Sequence, residues 1–125
     1  MTAPSAPGMH LLIDLWGASR LAEAAHVEQA LIQAAAACGA TLLDVRLHSF
    51  GEKSGVTGVA LLAESHISIH TWPETGFAAL DVFMCGVCDP RHAVPVLRKY
   101  FSPERMNVTE VHRGSPAAGN SSVFR

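Results

Sequence analysis

Three strand-like runs follow one another between Val56 and Cys85: Val56–Ala63 (VTGVALLA), His66–Thr71 (HISIHT) and Phe77–Cys85 (FAALDVFMC). Strands this close in sequence pair antiparallel, because a parallel pair needs a crossover of about a dozen residues or more. His10–Trp16, Ala40–His48 and Met106–His112 supply three further strand patterns. Ser19–Cys38 is an Ala-rich helical stretch with apolar positions at Leu21, Ala24, Val27, Leu31, Ala34 and Cys38, spaced three or four apart. Ser19 is its expected N-cap, and Gly39 stands where a helix-ending glycine belongs. Asp89-Pro90 opens a second helix that runs to about Phe101, with Pro95 expected to kink or shorten it. The order β-α-β-β-β-β-α-β, with few helices, gives an α+β fold: a largely antiparallel sheet with helices on one face.

Such a sheet has a second face that nothing in the chain covers. The 125 residues suffice for one domain, and only 16% are charged against 49% hydrophobic. A homodimer or higher homo-oligomer is expected, packing sheet on sheet into a four-layer α/β/β/α sandwich. A net charge of −2 without a basic run argues against a nucleic-acid partner. No apolar run approaches the roughly 18 residues of a membrane span, so no membrane partner is expected. Three cysteines and no export signal at the start point to free thiols in a cytoplasmic protein. Residues 1–8 and 115–125, rich in small and turn residues, are expected to be flexible tails around a single domain.

The chemistry concentrates between Glu64 and Cys88. His66, His70, Cys85 and Cys88 offer four ligands that zinc accepts, although HxxxH arises often by chance. Cys85-x-x-Cys88 also fits thiol–disulfide chemistry, without the helix that normally follows its first cysteine. Ser65, Ser68 and His70 suggest a nucleophile with a base, yet no G-x-S-x-G elbow surrounds either serine. An ordinary half-buried strand accounts for Ile67, Ile69 and Thr71, and leaves the polar face of His66, Ser68 and His70 unexplained.

The string Ala63–Glu74, AESHISIHTWPE, within Val56–Gly86, resembles the self-cleavage motif of the bacterial and archaeal S-adenosylmethionine decarboxylase proenzymes. Gly8–Gly17 (GMHLLIDLWG) and the Arg113-Gly114 pair extend the similarity across most of the chain. The resemblance implies that the Ser65 hydroxyl attacks the Glu64 carbonyl and that the chain divides into residues 1–64 and 65–125. Residue 65 then becomes a pyruvoyl group, which forms a Schiff base with the substrate amine and takes up the electrons left as CO₂ departs. That is the task of pyridoxal phosphate elsewhere, and no lysine or phosphate loop for pyridoxal phosphate is visible here. By the same resemblance His70 moves protons in processing, and Cys85 returns a proton to the substrate carbon. Thr57 supports processing in a place where the family usually has serine.

The substrate so implied, S-adenosylmethionine, presents a purine, a ribose and a sulfonium cation. Phe50 and Trp72 are candidates for stacking and cation–π contact, and Glu74 for the ribose hydroxyls. The loop at Phe50 holds one residue more than the family pattern, and Thr75 replaces a frequent aromatic. The product would be the aminopropyl donor for spermidine synthesis. No metal is implied. Two alternatives remain at this stage: a pyruvoyl-dependent arginine or ornithine decarboxylase on the same scaffold, and a zinc-binding module without catalysis. Ser65 and His70 are five apart, which on a regular strand sets them on opposite faces; a bend at Glu64–Ser65 would relieve this.

Overall fold

The computed structural model of the chain describes residues 8–114. Six strands form one antiparallel sheet: β1 (Gly8–Trp16), β2 (Leu42–Ser49), β3 (Val56–Leu62), β4 (Ser65–Trp72), β5 (Phe77–Cys85) and β6 (Arg105–Arg113). Their spatial order is β2-β3-β4-β5-β1-β6. The helices α1 (Ala24–Ala37) and α2 (Ala93–Phe101) pack on one face. The expected fold class and element order are therefore observed. The tails expected to be flexible lie outside the described residues, except Gly8, which opens β1 opposite Cys85.

Alternation along the strands separates two faces. Leu11, Ile13 and Leu15 of β1, Ile67 and Ile69 of β4, and Leu80, Val82 and Met84 of β5 point under the helices and are buried. There they meet Val27, Leu31, Leu97 and Phe101, while Ala30, Ala34 and Ala35 let α1 sit close to its neighbours. The opposite face carries large apolar residues in the open, among them Leu12, Leu61, Trp72 and Val111. Within one chain nothing among the described residues covers it.

The helix starts differ from the sequence reading. α1 begins at Ala24, not Ser19. Ser19 instead gives its hydroxyl and its amide to the Phe101 carbonyl, at 3.1 and 2.8 Å, tying the loop to the end of α2. Arg20 then takes left-handed backbone (φ 61°), and Leu21 turns into the core. Glu23 occupies the N-cap position without capping, because its carboxylate is held by Arg20 at 2.9 and 3.0 Å. Gly39 ends the helix as expected: its φ is 79°, and the Gly39 and Ala40 amides donate to Ala36 and Ala35. Asp89 caps a 3₁₀ turn over Pro90–His92, accepting from the Arg91 amide at 3.0 Å. α2 proper starts only at Ala93, so Pro95 falls in its first turn, where the missing N–H has no partner to lose. The helix is shortened, as expected.

Thr71 is the one buried polar residue of the described core. Its hydroxyl accepts from the Val56 amide and donates to the Leu21 carbonyl, both at 2.8 Å. This single side chain joins β4, the start of β3 and the loop before α1. Thr71→Val keeps the shape and leaves an amide and a carbonyl unpaired. We expect it to lower stability by about 2 kcal/mol, read as an earlier urea midpoint at unchanged slope.

Candidate active site

The β3–β4 hairpin turns through Ala63 and Glu64, between the paired residues Leu62 and Ser65. Glu64 has φ 62°, left-handed backbone that non-glycine residues enter at a cost. This turn lies where the bend was expected, but from Ser65 to His70 β4 pairs with β3 without a shift in register, so the two residues keep opposite parity along the strand. Cys85 ends β5 beside it. Its thiol donates to the Glu64 carbonyl at 2.8 Å, and its amide donates to the Ser65 hydroxyl oxygen at 3.2 Å. Ser65, Glu64 and Cys85 therefore surround one peptide bond. The Ser65 oxygen is the acceptor in this contact, which leaves its O–H available to donate elsewhere. A cavity of about 310 Å³ opens here, lined by Glu64, Ser65, His66, Phe83 and Arg113.

The other expected residues gather at the far end of β4. Thr57 lies directly opposite His70, and its hydroxyl is 3.1 Å from His70 Nδ1. Phe50, Thr57, His70, Trp72 and Glu74 line one cavity of about 390 Å³. Gly55 makes this cluster possible: a Cβ there would meet the Thr71 carbonyl oxygen at 2.2 Å, so only glycine lets the loop bearing Phe50 close on β4. Trp72 is followed by Phe77 with ring centroids 5.4 Å apart, then by Trp16 at 5.9 Å from Phe77, with the Arg105 guanidinium 4.0 Å over Trp16. His70 and Ser65 are not brought together. Five strand residues separate them, about 16 Å.

Between the two ends lies a polar network the sequence reading did not assign. Asp81 of β5 accepts from His10 Nε2 of β1 at 3.0 Å and from the Ser68 hydroxyl of β4 at 3.1 Å. His10 and His66 both pack on Phe83, with centroids 5.6 and 5.8 Å away. His10 and Asp81 are 71 positions apart in sequence, and only the strand register joins them. The proposed zinc ligands do not converge. Cys88 points its thiol to the Gly39 carbonyl at 3.5 Å, away from Cys85, and among the described residues no three His, Cys, Asp or Glu form a metal-holding group.

Residues 9–114 match the profile of the family described as S-adenosylmethionine decarboxylase. The chain is 48% identical over 108 residues to the S-adenosylmethionine decarboxylase proenzyme of Thermomicrobium roseum, covering 86% of this chain and 93% of that one. It is 48% identical over 110 residues to the proenzyme of the same name from Methanococcus vannielii, covering 86% and 89%. The crystal structure of the adenosylmethionine decarboxylase from Aquifex aeolicus superposes with a TM-score of 0.80 at 31% identity, over 95% of this chain and all of that one.

The three thiols differ in chemistry. Burial pushes the Cys38 thiol up to about 11, whereas Cys85 and Cys88 are partly exposed. At pH 8 only about a thousandth of Cys38 is thiolate, the reactive form. Alkylation of the native protein at pH 8 should therefore spare Cys38, which reacts only after denaturation; mass mapping of the labelled peptides reads this directly.

Proposed function

Because the chain belongs to the S-adenosylmethionine decarboxylase family, we propose that it decarboxylates S-adenosylmethionine after cutting itself between Glu64 and Ser65. The product, decarboxylated S-adenosylmethionine, is an aminopropyl donor for spermidine synthesis. The observation that carries this reading is the pair of contacts at one peptide bond: the Cys85 thiol on the Glu64 carbonyl oxygen and the Ser65 hydroxyl beside it.

A carbonyl carbon under attack passes charge to its oxygen, and a donor already aimed at that oxygen stabilises the change. Cys85 is that donor. The Ser65 oxygen bonds to the Glu64 carbonyl carbon, the peptide C–N bond breaks, and the hydroxyl proton passes to the freed nitrogen, leaving an ester. Loss of the Cα proton of residue 65 expels the Glu64 carboxylate and leaves a carbon–carbon double bond. Hydrolysis then releases ammonia and leaves a pyruvoyl ketone at the new terminus. The residues fit that group: a strained turn, an unblocked serine proton and a placed carbonyl donor. Such a ketone supplies an electron sink beside the substrate Cα. In turnover Cys85, on the same corner, is positioned to return a proton to that carbon, so the reaction consumes one proton and releases CO₂.

His70 and Thr57 stand too far from Ser65 to act within one chain. A second copy resolves this. If two open sheet faces pack about a two-fold axis that runs across the strands, the start of β4 in one copy faces the end of β4 in the other. Ser65 and Cys85 then meet Thr57, His70, Phe50, Trp72 and Glu74 from the partner. The exposed apolar residues of that face favour the same packing, which is the four-layer sandwich expected from the sequence. Trp72 and Phe50 supply rings for the purine and sulfonium, and Glu74 an acceptor for the ribose hydroxyls. A basic amino acid has neither purine nor ribose, so these residues favour S-adenosylmethionine over arginine or ornithine. No described helix is long and apolar enough to cross a membrane, and we place the enzyme in the cytoplasm.

Purified protein should appear by intact mass as pieces of residues 1–64 and 65–125, and Ser65→Ala should remain whole and inactive. CO₂ release should follow S-adenosylmethionine in a panel with arginine, ornithine and lysine; turnover of a basic amino acid alone would reject the substrate. The shared site has its own test. Expressed singly, both Ser65→Ala and His70→Ala chains should stay uncut. Expressed together, the mixed dimer holds one complete site, and the His70→Ala chain should now be cleaved. Failure of cleavage in the mixture would return His70 to its own chain.

A further inference from the structure

Arg113 ends β6 opposite Gly8, and its side chain forms one wall of the cavity that contains Ser65. The guanidinium carbon lies 6.0 Å from the Phe83 ring centroid, and one N–H group donates to His10 Nδ1 at 3.3 Å. An arginine only donates, so His10 Nδ1 is bare and the ring proton sits on Nε2, where it donates to Asp81. The second Asp81 oxygen accepts from Ser68. Asp81 is therefore engaged twice, one residue removed from Arg113, and does not neutralise it. Among the described residues no carboxylate pairs with Arg113: the ion pairs join His10, Arg20, Arg46 and Arg91 to their acids. A planar cation is thus held in place beside Ser65 with most of its donors unspent.

We propose that Arg113 binds the α-carboxylate of the substrate, the group that leaves as CO₂. The proposal rests on the reading that the substrate amine is held at residue 65. The carboxylate is attached to the same carbon as that amine, so it lies in the cavity that Arg113 walls. A guanidinium fork matches a carboxylate with two parallel hydrogen bonds. The chemistry also fixes the kinetic signature. Charge leaves the carboxylate as CO₂ forms, so Arg113 grips the ground state more firmly than the transition state. It confers affinity and selectivity and does not speed the chemical step. His10 and Asp81 are positioning residues: they set the fork without touching the substrate.

The experiment compares two ligands on processed enzyme by calorimetry. One is the deaminated analogue of S-adenosylmethionine, which keeps the carboxylate and has no amine to react. The other is decarboxylated S-adenosylmethionine, which keeps the amine and has no carboxylate. Arg113→Met should weaken the first roughly 10- to 100-fold, as expected for a lost charge-assisted pair, and leave the second within about twofold. KM for S-adenosylmethionine should rise in parallel while kcat holds or increases. Arg113→Lys should recover part of the loss. Equal weakening of both ligands, no weakening of either, or failure of both variants to be processed would overturn the proposal. Should the wild type turn over arginine and ignore S-adenosylmethionine, the substrate reading falls. The same contrast, arginine against its decarboxylated amine agmatine, then decides Arg113 separately.

Discussion

A non-glycine residue in left-handed backbone costs about 1 kcal/mol or more, and Glu64 holds that conformation because both of its flanks are already fixed. Leu62 and Ser65 are paired across the β3–β4 ladder, which leaves two residues to reverse the chain. The Cys85 thiol then fastens the Glu64 carbonyl from the neighbouring β5. The turn, the Ser65 hydroxyl and the Cys85 thiol beside it are therefore products of strand register. Slipping β4 by one residue against β5 would turn the Ile67 and Ile69 side chains out of the core and remove Cys85 from the turn in one move. The apolar face under the helices thus holds this corner in register from the other side of the sheet.

The open face arranges its chemistry in rows across the strands. Cys85 and Arg113 lie at one end beside the turn that leads to Ser65, the His10–Asp81–Ser68 network in the middle, and Thr57, His70 and the aromatic row of Trp72, Phe77 and Trp16 at the other. Within one chain these ends stay apart, because an open sheet does not fold its ends together. It can complete two sites at once when a copy lies over it end for end. In that arrangement the exposed apolar surface and the separation of the two clusters would have a single cause.

Much of this was legible in the residues. Strand alternation gave all six strands within a few positions, since β-branched and apolar runs of period two leave little choice. Gly39 and Asp89 marked helix boundaries through chemistry local to each residue. Ser19 did not, because its hydroxyl is drawn to a carbonyl 82 positions away, and the competing Arg20–Glu23 pair cannot be weighed from spacing alone. The candidate corner at Glu64, Ser65 and Cys85 was readable from the AESHISIHTWPE string and the cysteine that follows, while the turn at Glu64 leaves the opposite parity of Ser65 and His70 as the sequence has it. The distance between their clusters was not readable. Nor was the His10–Asp81–Arg113 chain, whose members come from three strands that only the register makes neighbours. The cysteine pair misled in the opposite sense: Cys85 and Cys88 are close in sequence, yet their thiols serve different layers.

The strand order carries a further consequence for how the molecule lives. A cut at Glu64–Ser65 leaves β1, β2 and β3 on one piece and β4, β5 and β6 on the other. In space the order is β2-β3-β4-β5-β1-β6, so β1 is clasped between two strands of the other piece. Fragments produced by such a cut would be interlaced along three ladders, β3–β4, β5–β1 and β1–β6. The cut would nonetheless be recorded in the thermodynamics: an intact chain refolds at a rate independent of concentration, while severed halves would have to find each other again. Folding first and cutting second is then a ratchet. A molecule made this way would assemble as one chain with low entropic cost, and every later unfolding would be a dissociation.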